Sequence, residues 1–237
     1  MRRFITLALC ILAAPTLARA QAVGISPGTA TYAGRYEYQG QTQDGGTRRV
    51  SVSDTTIDGA HVWIVVNRLK VGDDAMLDSV GMRAGDLRPV FRRTAGDGSR
   101  LSLAMRDGVV EGQLETDEGT VRVSLRPGER SFLNYYALWA ALREWPLAAG
   151  WRGTASALEL NGRSEFTPLE LAVEGEERIH TPAGDFDCWI VHVTGAGGID
   201  ERYWVSKPDH VVVRTREPVG PPGGMLQLDL TALTHAP

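Results

Sequence analysis

The chain has 237 residues, with 25 Lys and Arg against 29 Asp and Glu and a formal net charge of −4. Without the leader described next, 22 basic residues face 29 acidic ones, a net charge near −7 that makes nucleic acid and anionic lipid head groups poor partners. The 217 residues that remain are enough to bury about 70% of their surface, so folding does not depend on disulfide or metal staples.

The leader spans residues 1–20. Arg2 and Arg3 precede an apolar run from Phe4 to Leu17, and Ala18-Arg19-Ala20 closes it with small residues. This is the pattern of a cleaved secretory signal. The run has 14 residues and contains Pro15, too short for the roughly 20 needed to span a bilayer. Export to a bacterial periplasm follows, with residues 21–237 as a single β-rich domain and no transmembrane segment in the mature chain. Cys10 lies early in the run behind Leu9, the wrong place for a lipid-modified cysteine, and only Cys188 survives cleavage, so no internal disulfide forms.

From Gly34 to Leu233, short alternating segments are broken by Gly, Asp, Asn and Pro, the period of antiparallel strands. Strands are predicted at 35–39, 49–53, 61–69, 100–106 and 121–125, then at 154–160, 169–174, 186–194, 199–206, 211–216 and 225–230. Asp107-Gly108 is a two-residue hairpin turn, because it supplies adjacent positive φ angles. Asp117-Glu118-Gly119 makes the next one. A meander this wide must curl into a partial barrel or split into two layers.

Residues 131–145 break the pattern. Ser131 is placed to cap, Pro146 to stop, and the segment between predicts an apolar helix of about 22 Å packed against the sheet. Phe132, Tyr136, Trp139 and Trp145 are the candidate ligand-binding residues: beside plain core packing, which a helix covered by a sheet requires in any case, the other reading has them line an apolar cavity for a small molecule or lipid. An envelope protein is the other partner the chain suggests.

Reactive constellations are thin, and the chain is read as holding no nucleophile elbow of the Gly-x-Ser-x-Gly type, no phosphate loop and no dinucleotide fingerprint. Cys188 and His192 on one strand lie about 13 Å apart, too far to share an ion. The strand reads as buried on both faces, with Cys188 a small apolar residue. The five histidines show no metal spacing, and no cofactor or metal is expected. Asp185 and Asp187 would stand about 7 Å apart on one face, inside the window of inverting glycosidases, which gives an envelope polysaccharide hydrolase as the alternative reading. An outer-membrane barrel fits less well, since segments such as 62–66 and 211–213 are apolar on both faces.

Thr181-Pro182-Ala183-Gly184-Asp185-Phe186-Asp187-Cys188-Trp189, then Glu201-Arg202-Tyr203-Trp204-Val205-Ser206 and Val211-Val212-Val213-Arg214, form a Pro-x-Gly turn, a buried strand, a Tyr-Trp-Val strand and a closing strand. This pattern resembles the bacterial envelope family catalogued as domain of unknown function thirty-one-oh-eight. The resemblance implies a β-rich periplasmic fold akin to the half-barrels of lipoprotein carriers. It transfers no catalytic residue, and the reading that results is a non-enzymatic protein binding an apolar ligand or an envelope partner.

Overall fold

The structure, a computed structural model, describes residues 22–96, 98–160, 164–220 and 222–235. The leader read at 1–20 lies outside them. In chain order the strands are β1 (Gly28–Tyr38), β2 (Gln41–Ile57), β3 (Ala60–Val71), β4 (Asp74–Arg83), β5 (Pro89–Gly96), β6 (Ser99–Arg106), β7 (Val109–Thr116), β8 (Gly119–Leu125) and the short β9 (Ser131–Phe132). After helix α1 (Tyr135–Ala141) and a 3₁₀ turn at Leu142–Glu144 come β10 (Arg152–Glu159), β11 (Glu165–Thr181), β12 (Gly184–Gly195), β13 (Ile199–Ser206), β14 (Val212–Pro218) and β15 (Met225–His235).

All fifteen strands belong to one open sheet, in the order β8-β7-β6-β5-β4-β3-β2-β1-β15-β14-β13-β12-β11-β10-β9. Every pairing is antiparallel except that of β9 with β10. β1 pairs with β15 at the centre, so the sequence runs outward along one arm to β8 and returns through the other. Of the two predicted solutions, the chain takes the curled one. Strands far apart in the sheet order all reach the same short helix region: Arg92 on β5 donates to the Leu133 carbonyl (2.6 Å), and the Tyr135 hydroxyl donates to Glu159 on β10 (2.9 Å). The hairpin of β11 and β12 also bends back, where the Ala183 N–H donates to the Leu230 carbonyl on β15.

The helix is shorter than predicted. Ser131 and Phe132 are strand, paired in parallel with Ser156 and Ala157, and the Ser131 hydroxyl faces that of Ser156 at 2.8 Å. Asn134 is the cap, its Oδ1 accepting from the Ala137 N–H at 2.8 Å. The same side chain donates to Asp78 on β4, which also takes both Nε and Nη2 of Arg92 and the Thr94 hydroxyl. Asp78 is 1% exposed, a buried carboxylate tolerable because every direction it faces supplies a donor.

Three hairpins use the predicted chemistry of adjacent positive φ: Gln39-Gly40, Asp58-Gly59 and Asp107-Gly108. Between β1 and β2, Gly45 and Gly46 oppose the single residue Gly34 as a bulge. Gly46 has φ +79°, and a Cβ there would lie 2.2 Å from the Lys70 carbonyl oxygen. Gly46→Ala is therefore expected to cost about 2–4 kcal/mol, a fall of roughly 5–15 °C in Tm by thermal unfolding.

Candidate functional site

The inner face of the sheet is set by register. Tyr32 pairs with both Arg48 and Leu230, Val191 with Tyr203, and Tyr203 with Thr215, so these side chains share the face that covers the helix. Trp139, 5% exposed, is the hub there. Its ring meets Tyr32 of β1 at 5.7 Å, Tyr136 at 5.0 Å and Tyr203 of β13 at 5.8 Å, all edge to face. The Tyr32 hydroxyl donates to the Val212 carbonyl at 2.8 Å.

Beside Trp139 a cleft opens between the start of β1, β2 and the segment leading into β14. Its apolar walls are Ala30, Val50, Val52, Val212 and Leu233, and Arg143 and His210 supply its polar groups. About 50 Å³ of it admits the centre of a water-sized sphere, room for a few waters or the end of an alkyl chain. His210 Nδ1 is buried without a partner. Burial lowers the pKa of this ring, against a hydrogen bond to the Leu142 backbone that raises it. Residues 22–26 lie along one wall as a strap: the Val23 and Gly24 N–H groups donate to the Arg143 carbonyl, and Arg143 Nη1 donates to Ser26.

Of the four residues singled out from sequence, only Trp139 lines this cleft. Tyr136 packs on Trp139 with the Arg48 guanidinium 4.9 Å above its ring. Phe132 and Trp145 form a separate cluster with Trp151, Trp145 lying 6.3 Å from Phe132 and 5.5 Å from Trp151. Those two are 1% and 6% exposed and serve the core.

A charged cluster on the same inner face escapes the sequence pattern. Glu201, 9% exposed, accepts a short hydrogen bond from the Tyr203 hydroxyl. Glu217 stands 3.8 Å from Arg48. Burial above all, then the charge of Glu217, pushes the Glu201 carboxyl up to about 7, against the lowering pull of Tyr203. Glu217 is also raised, by burial, with Arg48 pulling the other way.

Other chemistry is poorly supplied. Asp185 is exposed and paired to His180 Nδ1 (2.7 Å) and Arg178 (3.5 Å), and its pKa is lowered first by the His180 hydrogen bond. Such an acid is a poor proton donor. Contrary to the reading that no nucleophile elbow occurs, Gly24-Ile25-Ser26-Pro27-Gly28 has the spelling of one. An elbow needs a strand-to-helix turn and a base, whereas Ser26 precedes a strand and accepts from Arg143. Cys188 is fully buried and its thiol is pushed up to about 12, by burial first, so it is no nucleophile. Its strand is less covered than predicted: Val191 and Val193 are buried, but Phe186, Trp189, Ile190 and His192 keep part of their surface. Phe186 lies where the β11–β12 hairpin runs past the end of β13 and cover thins, whereas Trp189, Ile190 and His192 are flanked by both β11 and β13. Among the described residues, no group of three or more His, Cys, Asp or Glu is placed to hold a metal ion.

Among solved structures, a β-barrel-like protein of the family DUF1849 from Brucella abortus superposes with a TM-score of 0.57, at 10% identity over 90% of this chain and 99% of its own. The hypothetical lipoprotein YmcC from Escherichia coli gives 0.37 at 15% identity, covering 88% and 85%, and a LolA superfamily protein from Nitrosomonas europaea gives 0.22 at 10%, covering 93% and 92%. The first shares the fold; the other two superpose too loosely to add to it. No curated protein matches. The model of the family described as "Protein of unknown function (DUF3108)" matches residues 29–230, from the start of β1 into β15, and the chain belongs to that family.

Proposed function

We propose that the protein is an exported, non-enzymatic binding protein that takes the apolar end of a ligand into the cleft beside Trp139. The observation that carries this reading is the cleft itself, where one indole and a ring of aliphatic side chains meet two buried basic groups at a gap in the inner face. Apolar walls with a few converging polar groups are the usual make-up of a small-molecule site. Export rests on the leader at 1–20.

The cleft admits only the terminus of a chain while the strap of residues 22–26 stays in place, so entry is coupled to loosening of its bonds to Arg143 and Glu144. The test is tryptophan fluorescence titrated with 12-bromododecanoate, whose bromine quenches on contact. Saturable quenching is expected in the mature protein and its loss in Ala30→Phe, which fills the cleft. Val52→Phe, at a partly exposed position of the same wall, guards against a folding defect in the first variant. Equal quenching in the parent and both variants, or none in the parent, overturns the reading.

A further inference from the structure

We propose that the outer face of β1–β4 docks on a membrane surface by gripping the phosphate-bearing heads of anionic phospholipids. Arg48, Val50, Val65 and Asn67 are buried toward the helix, so the residues alternating with them point outward. The register then lines up Thr31, Arg49, Arg68, Leu77 and Ala95 as one outward row, with Thr47, Lys70 and Ala75 as the next. Arg49 and Arg68 are direct cross-strand partners, a like-charge pairing that costs stability.

No carboxylate offsets them. Among the described residues, Arg49, Arg68 and Lys70 make no ion pair or side-chain hydrogen bond. Asp229 shares the row of Lys70 but lies three strands away, about 14 Å, and is held by Arg35, Arg214 and Gln227. Asp73 lies in the β3–β4 turn, and Asp74, the first residue of β4, points to the alternate side from Ala75. The three cations line a groove of about 540 Å³ that also takes in Thr31, Thr47 and Leu77. Leu77, 39% exposed, is one of four large hydrophobic side chains left most open to solvent among the described residues.

An uncompensated cation cluster calls for an anion, and paired guanidinium groups suit phosphate oxygens. The exposed Leu77 beside it suits the methylenes just beneath a lipid head. β2, β3 and β4 are each bonded on both sides, so no backbone edge is free there to add an extended acidic peptide. The overall negative charge does not forbid the contact, because fields are screened within about 8 Å at physiological salt and the local patch governs.

Co-sedimentation with vesicles tests this. The mature chain is expected to bind phosphatidylglycerol vesicles at about 50 mM salt and phosphatidylcholine vesicles not at all, and to be released as salt rises. Combined Arg49→Ser, Arg68→Ser and Lys70→Ser should weaken partitioning about 100-fold, and Leu77→Ser by a smaller factor. The triple variant should fold with Tm unchanged or raised, since it relieves repulsion. Unchanged vesicle binding in that variant overturns the proposal. So does full release of the parent by about 10 mM inorganic phosphate, which marks a free-anion site, or equal capture by polyglutamate, which marks an acidic protein partner. The cleft variants Ala30→Phe and Val52→Phe should bind vesicles like the parent, so this surface and the inner cleft stand or fall separately.

Discussion

Trp139→Ala is expected to remove about 3–5 kcal/mol of stability, the largest single loss for any residue of the helix, and to lower Tm by about 10 °C or more. The indole is 5% exposed and meets rings from β1, from the helix itself and from β13. Truncation leaves a void where the two arms of the sheet come together, and the strands around it cannot close without losing their pairing. Trp139→Phe keeps most of the volume and should cost no more than about 2 kcal/mol. Paired thermal and denaturant unfolding checks both values. A loss below about 1 kcal/mol for the alanine variant would show that the arms do not meet on this ring.

Stability should fall as pH rises from 5 to 8, and Glu201→Gln should remove most of that fall. The carboxyl of Glu201 sits at about 7 in the folded chain against an ordinary value of 4.5. Between those values the folded chain keeps a proton that the unfolded chain gives up. The stabilisation is complete below about 4.5 and is lost as pH rises through about 7. Across that window it amounts to about 3 kcal/mol, an order of magnitude that Glu217, raised in the same direction, increases. The lowered acids Asp86 and Asp185 titrate below this window, whereas His210, whose pKa burial lowers from 6.5, acts oppositely within its lower part and reduces the net fall. The amide that replaces the carboxyl in this variant would still accept from Tyr203 while carrying no charge to bury. Tm measured in half-unit pH steps for both proteins checks the prediction. A parent profile that is flat, or that rises toward pH 8, contradicts it.

Much of the sheet was legible from alternation, and the reasons for the omissions are local. β4 and β5 escaped because Asp78, Arg92 and Thr94 occupy inward positions that the pattern reads as solvent-facing. They point inward because the helix needs its capping residue Asn134 anchored. Glu201, Glu217 and Arg48 hide for the same reason: each is a charged residue at an alternation step, and only the curl of the sheet reveals that the step faces the core. Ser131 looked like a cap because nothing in its neighbourhood announces that β10 will claim it as a parallel partner. The aromatic content of the helix was plain, but which ring would face a gap depended on contacts from β1, β2 and the segment before β14. The Gly-x-Ser-x-Gly spelling at 24–28 could be found by eye, and only structure shows that it fastens a strap rather than bends a strand into a helix.

Native mass spectrometry of the protein, purified without detergent from its own cells, tests most directly whether the inner cleft takes an apolar ligand. The expected spectrum carries an adduct of discrete mass that organic extraction releases and that Ala30→Phe fails to retain. Bare protein mass from both parent and variant, or an adduct retained equally by both, contradicts it.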